Sequence, residues 1–253
     1  MAAPHNDNGP TNRLLVTLPP LVLQHLWPRL EPVSLAPKQV IYHEEEPVNH
    51  LYFIERGLVS LIKVMRDGRS VEIGVVGVDG VTGSCSLFGM NSAYLESVIQ
   101  VPGTALRISR SVLLGEMAKN KALTEHIQRY AHFYVSAISQ TAACNRLHSL
   151  AERCCRWLLI AHDSALSDEF PITQEFLATM LGVRRTAVSI TANALQKAGL
   201  ISYKRGLVTI MDRPGLEAAA CECYETNCSH FDKLFGSSRQ EAAPLKSLPA
   251  AQR

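Results

Sequence analysis

Residues 171–213, PITQEFLATMLGVRRTAVSITANALQKAGLISYKRGLVTIMDR, hold the densest structural information in the chain. Thr173 can cap a helix that begins at Gln174-Glu175, because its hydroxyl accepts from a free N–H of the first turn. Leu177, Ala178 and Leu181 then share one face. Gly182 follows where the backbone must turn sharply and a side chain would obstruct it. A second helix carries Val188 and Leu195 inward, and the small Ala178 lets the two helices approach. This is helix-turn-helix spacing. Leu200–Tyr203, a Lys204-Arg205-Gly206 turn and Leu207–Met211 add a β-hairpin directly after it.

Charge gathers on the same stretch. From Phe170 to Arg213 the basic residues are Arg184, Arg185, Lys197, Lys204, Arg205 and Arg213, against Glu175 and Asp212, so it carries +4 on a chain of net +2. A local basic patch on a near-neutral chain is the footprint of a module that binds a polyanion. Arg184, Arg185, Thr186, Ser189 and Asn193 point away from the apolar side of the second helix. Arginine can grip guanine with two hydrogen bonds, and Thr, Ser and Asn can read other base edges. Thr173 and Gln174, at the start of the first helix, and Lys204 and Arg205, at the hairpin tip, are placed to reach phosphates. The expectation is a winged helix-turn-helix on double-stranded DNA.

Upstream, the periodicity changes twice. After a short helical stretch with Leu21, Leu23, Leu26, Trp27 and Leu30, short apolar runs separated by Gly turns occupy Val33 to Ser109. Arg56-Gly57, Asp67-Gly68, Asp79-Gly80 and Pro102-Gly103 punctuate them, and a β-sandwich or roll is expected. After Arg110 the pattern is helical. Leu123, Tyr130 and Ala137 recur at seven, as do Ile127, Tyr134 and Thr141, offset by four. That seam fits a helix pairing with a copy of itself; a helix packed on its own domain gives the same repeat.

The whole reads as α+β: a loose tail (1–12), a sensory β-roll (13–118), a dimerisation helix (119–145), the winged helix-turn-helix (146–216), a Cys-containing segment (217–235) and a second tail (236–253). Apolar residues at 47% and charged residues at 19% fit a globular chain. No apolar run reaches membrane-span length, and the polar start lacks a secretory core, so a cytoplasmic protein with no membrane partner is expected. There its seven cysteines are expected as thiols or ligands. No paired carboxylates, nucleophile motif, phosphate-cradling loop or HExxH pattern supports an enzyme. Cys221-Glu-Cys223-Tyr-Glu-Thr-Asn-Cys228-Ser-His230 places three thiols and an imidazole within ten residues. Zinc, an iron–sulfur cluster, a redox-sensing thiol and plain packing remain open for it.

The order of these features resembles the Crp/Fnr family of transcription factors from about Leu14 to Leu216. LYFIERGLVSLI (51–62), DGRSVEIGVVG (67–77), SVLLGEM (111–117) and the winged helix-turn-helix carry the resemblance. It implies a cyclic-nucleotide-binding-like β-roll, a homodimer, a hinge near Cys144–Ser149, a two-fold symmetric DNA site and action through RNA polymerase. It also implies an effector pocket near Gly83, Ser84, Cys85, Ser86, Leu87, Ala93 and Tyr94. The chain departs from the cyclic-AMP-binding members there. Ser84 stands where they have Glu, and no Arg or Lys occurs from Ser70 through Leu106, so a buried phosphate would lack its charged partners. Cyclic AMP is therefore not expected in the family's usual manner. In the second helix Arg185 matches the family's first Arg, but Thr186 and Ile190 replace its Glu and second Arg, so the target sequence should differ. A cyclic-nucleotide-responsive subunit that controls a partner protein is the competing reading, against which the basic C-terminal module argues.

Overall fold

The short apolar runs pair into one antiparallel sheet. In the computed structural model, which describes residues 9–236, its strands are β1 (Glu31–Leu35), β2 (Val40–Tyr42), β3 (His50–Val64), β4 (Ser70–Val76), β5 (Val81–Thr82) and β6 (Glu96–Ser109). The order is β1-β6-β3-β4, with β2 on β6 and β5 on β3. Asp67-Gly68 turns β3 into β4 as expected, closed by Met65 N donating to Arg69 O at 2.8 Å. Arg56-Gly57 and Pro102-Gly103, by contrast, are not strand ends. They lie inside β3 and β6, where the register shifts between Ile54 and Val59. Gly57 has φ +100, and a Cβ there would meet the Val101 carbonyl at 2.5 Å. The long strands bend at these glycines and continue.

Two short helices, α1 (Arg13–Val16) and α2 (Pro20–Leu26), precede the sheet. Asn12, assigned from sequence to a loose tail, is fully buried. Its amide donates to Ile54 O at 2.7 Å and Gly80 O at 2.9 Å, while its carbonyl oxygen caps α1 by accepting from Leu15 N. Two buried carbonyls, of Ile54 within β3 and of Gly80 just before β5, accept from it, and the asparagine is fixed by supplying the donor. Of the two expected tails, residues 1–8 and 237–253 lie outside the described residues.

After β6 come α3 (Arg110–Lys119) and α4 (Lys121–Leu147), the latter capped by Asn120 accepting from Leu123 N. The six residues expected to pair with a second copy face inward instead. Leu123, Ile127, Tyr130 and Tyr134 are buried in the same cluster as the sheet, Ala137 packs against it, and Thr141 is buried near the helix end. The correction has a simple cause. Over about five turns a repeat of seven is shared by a helix seam and by a helix lying on its own domain, and here the apolar sheet face takes up the stripe.

The C-terminal unit comprises α5 (Leu150–Ala165), β7 (Glu169–Pro171), α6 (Gln174–Leu181), α7 (Arg185–Lys197), β8 (Ile201–Lys204), β9 (Leu207–Ile210) and α8 (Arg213–Ala218). Ser149 and Glu152 form a reciprocal capping box that starts α5. The hairpin is part of a three-stranded sheet, β7-β9-β8, which Glu169–Pro171 completes along β9. A final helix, α9 (Cys223–Phe235), returns to α4, with Phe231 edge-on to Phe133 at 5.3 Å between ring centres. The units are not separately packed. Leu58, Ile62 and Val101 of the β-roll share a core cluster with Trp157, Leu158 and Phe170.

Candidate nucleic-acid interface and sensor site

The C-terminal unit presents its cations as the spacing requires. Thr173 caps α6 by accepting from Phe176 N at 3.2 Å. Gly182 is left-handed, φ 64 and ψ 36, and closes α6 on the way to α7. Arg184 is the N-cap of α7, and Arg184, Arg185, Thr186 and Asn193 are all exposed. Among the described residues neither Arg184 nor Arg185 pairs with a carboxylate. Lys204 and Arg205 are exposed at the hairpin tip, where Arg205 and Gly206 both have positive φ. Ile172 N donates to Gly206 O at 2.8 Å and Tyr203 Oη to Ile172 O at 2.9 Å, so the wing is anchored to the start of α6.

Three details escape the sequence reading. The Ser189 hydroxyl, expected to face base edges, donates to Gln174 Oε1 at 2.6 Å and holds α6 against α7. Gln196 Oε1 accepts from Tyr203 N at 2.9 Å and ties the end of α7 to the wing. Arg213, counted in the basic patch, forms internal ion pairs with Asp163 at 2.7 Å and Glu217 at 2.9 Å. Ile190, by contrast, is 71% exposed in the middle of α7, an apolar side chain on an otherwise polar face.

The residues grouped as an effector pocket differ in exposure. Ser84, Ser86, Leu87 and Ala93 are buried, Cys85 and Tyr94 are exposed, and Gly83 is the left-handed cap of a 3-10 turn from Ser84 to Leu87. Ser86 Oγ donates to Gly83 O, so the turn is closed on itself. Ala93 packs with Tyr42 and Val48, the two side chains that also lie against Gly83. A cation does approach, from outside the stretch scanned: Arg110, at the start of α3, donates from Nε and Nη2 to Ser86 O at 2.9 and 2.7 Å. Tyr130 and Tyr134 stack at 6.1 Å and fill the space between α4 and the sheet. The Tyr130 hydroxyl accepts from Val81 N at 3.1 Å, and burial pushes both phenols above their ordinary range. Gly80 and Gly74 make room for them; a Cβ at Gly74 would lie 2.9 Å from the Tyr134 oxygen.

A buried carboxyl joins the two units. Glu72 on β4 is 5% exposed; it accepts from the Ser60 hydroxyl and, at 3.1 Å, from Trp157 Nε1 of α5. Burial raises its pKa to about 7, against the lowering effect of the Ser60 hydroxyl, Arg156 and Trp157. Around it Arg56 Nε donates to Ala165 O at 2.9 Å, and Val71 lies against Gly182.

The cysteines regroup as well. Cys221 and Cys223 meet Cys144 and His148 from the end of α4, with all four ligand atoms within 4.8 Å of one another. Cys144 Sγ is 3.5 Å from Cys221 Sγ, and Cys223 Sγ is 3.6 Å from His148 Nδ1. Cys228 and His230 lie outside this group; His230 packs against His132 and Phe133. Cys228 and His230 are neighbours of Cys221 and Cys223 in the chain, but α9 carries them away from the group after Cys223. A Cys-x3-His pair at the end of one helix was the signal that would have found the other half.

Comparison with known proteins follows the same division. Residues 32–120 match the profile of the cyclic nucleotide-binding domain, and residues 152–219 that of the Crp-like helix-turn-helix domain. The HTH-type transcriptional regulator Cmr of Mycobacterium tuberculosis (strain CDC 1551 / Oshkosh) is 23% identical over 198 residues, which span 76% of this chain and 77% of that protein. The anaerobic regulatory protein of Bacillus subtilis (strain 168) is 23% identical over 221 residues, 82% of this chain and 92% of that one. The fold is similar to that of FixK2 from Bradyrhizobium japonicum, with a TM-score of 0.64 at 17% identity over 76% of this chain and 98% of the other. The two profiles lie in family order on one fold, and together they take in more than half of the sequence: the chain belongs to the Crp/Fnr family of transcription regulators, with a helix-turn-helix DNA-binding domain at its C-terminal side.

Proposed function

We propose that this regulator binds a two-fold symmetric site in double-stranded DNA as a homodimer, with α7 in the major groove and the wing tip on the phosphates. The observation that carries the reading is the pair of exposed arginines at the start of α7, neither paired with a carboxylate among the described residues. Arg185 and Thr186 would read base edges, and Ile190 would meet a thymine methyl, where the family's best-known members place an arginine. Arg184, Lys204, Arg205, Thr173 and Gln174 would hold the backbone.

The dimer contact lies along the exposed stripe of α4 that faces away from the sheet. Gln128, His132, Val135, Ser139, Ala142 and Arg146 follow each other at steps of four and three, and all six are exposed, Val135 at 64%. That 4-3 spacing is a seam for a second copy, with small residues allowing close approach. A regulator held at a promoter acts through RNA polymerase, which completes the set of partners.

The β-roll works without cyclic AMP held in the usual family manner. Ser84 replaces the ribose-binding Glu, Arg110 is engaged by the Ser86 carbonyl, and two tyrosines occupy the space under α4. A signal that moves α4 or the Glu72 contact would shift the hinge after Leu147 and reposition α7. Selection of genomic fragments by the purified protein tests the reading. A shared palindrome bound with steep salt dependence is expected; fragments with no common motif would refute it.

A further inference from the structure

Among the described residues the tightest gathering of metal-ligating side chains lies outside the DNA face and the β-roll. It sits where three segments converge: the last turn of α4, the hinge residue His148, and the link between α8 and α9. We infer that Cys144, Cys221, Cys223 and His148 form a tetrahedral zinc site that straps the segment after the wing to the hinge.

Donor chemistry comes first. Three thiols and one imidazole are a Cys3His set, the usual make-up of a closed structural zinc site. Cys144 and Cys223 are fully buried and Cys221 is 4% exposed, so the sulfurs face each other and not water. Scale agrees. A zinc–sulfur bond of about 2.3 Å puts two sulfurs of a regular tetrahedron about 3.8 Å apart. The spacings here are 3.5 Å for Cys144 to Cys221, 3.6 Å for Cys223 to His148, and at most 4.8 Å for any pair. An iron–sulfur cluster spreads its cysteine sulfurs around a cage and would need them further apart.

The surroundings are those of a metal-binding histidine. His148 Nε2 lies 3.0 Å from a Glu222 carboxylate oxygen, which draws the ring proton to that nitrogen and turns the lone pair of Nδ1 toward Cys223. A carboxylate behind a ligating imidazole fixes its tautomer and raises its basicity. Gln140 Nε2 donates to Cys223 Sγ at 3.0 Å, a contact that suits a sulfur carrying negative charge. His148 keeps 17% of its side chain exposed and Glu222 72%, so an ion has a way in.

Occupancy would fix three points that the backbone alone leaves independent: the end of α4, the entry to α5 and the start of α9. The effect on DNA rests on the reading proposed above; zinc binding does not, and the two are measured separately.

The test uses the full-length protein. Purified without chelator, it should carry about one zinc per chain, and cobalt exchanged into it should show the sulfur-to-cobalt charge transfer and intense d–d bands of a tetrahedral thiolate site. Cys144→Ser and Cys221→Ser should lose the metal, while Cys228→Ser and His230→Ala keep it. Glu222→Gln, a change at an exposed residue, should leave the fold intact and weaken zinc about 10- to 100-fold. Any of three results overturns the site: no metal and no cobalt spectrum, iron with acid-labile sulfide in place of zinc, or metal loss in Cys228→Ser equal to that in Cys221→Ser. If zinc binds but its removal leaves DNA affinity unchanged, the strap is present and its regulatory consequence is wrong.

Discussion

Glu72 offers the sharpest quantitative test of the contact between the β-roll and α5. Its carboxyl releases its proton near 4.5 when the chain is unfolded, but burial raises that to about 7 in the folded protein. Between those values the folded state binds more protons than the unfolded one, so stability falls as pH rises; below 4.5 and above 7 the group contributes no slope. A separation from 4.5 to about 7 corresponds to about 3 kcal/mol, at ~1.4 kcal/mol per tenfold. Glu72→Gln keeps the shape and an acceptor for the Ser60 hydroxyl or Trp157 Nε1, but cannot ionise. Urea unfolding of both proteins from pH 4.5 to 8, followed by the tryptophan fluorescence of Trp27 and Trp157, reads the effect. The variant should gain on the parent by about 3 kcal/mol across that range. A gap that stays level with pH would mean that Glu72 is hydrated or paired, and that the two units are not closed over it.

Three further outcomes follow from the interface geometry. Arg185→Ala should cost roughly 1–3 kcal/mol on the selected site and relax its sequence preference in competition binding; equal weakening on random DNA would make Arg185 a phosphate contact only. Lys204→Ala should lower the slope of log affinity against log salt by about one, with specificity intact, and an unchanged slope would remove the wing tip from the backbone. Val135→Glu should shift the purified protein from dimer to monomer in sedimentation while its circular dichroism is kept, whereas Leu123→Ala should instead lower stability by about 2–5 kcal/mol, because Leu123 is 2% exposed within its own chain. A dimer that survives Val135→Glu would place the contact elsewhere.

Much of this protein is legible along the chain. The helix-turn-helix and wing are local: Thr173, Gly182, the Val188/Leu195 face and the Lys204–Gly206 turn act within a few residues of themselves, and capping, left-handed backbone and hairpin geometry are short-range effects. The β-roll is legible in its alternating apolar runs and in the Asp67-Gly68 turn, although Arg56-Gly57 and Pro102-Gly103 bend strands and do not end them, and the lack of a cation between Ser70 and Leu106 is visible as composition. What local pattern could not separate was cause from coincidence of period. The same heptad positions serve a dimer seam and an intramolecular face, so the placement of Tyr130 and Tyr134 against Gly80 and Gly74 became visible only with the sheet in place.

The amino-acid order by itself therefore determined the helix-turn-helix with its wing and the charged face of α7, because each depends on residues close in sequence, and the order of its motifs carried the family. Only the tertiary structure decided which cysteines meet, that Arg213 is engaged internally and Arg110 reaches the Ser86 carbonyl, and that Glu72 is sealed under Trp157. Those contacts join residues dozens of positions apart. Burial and electrostatics at such sites depend on what the folded chain brings alongside, which no window of sequence contains.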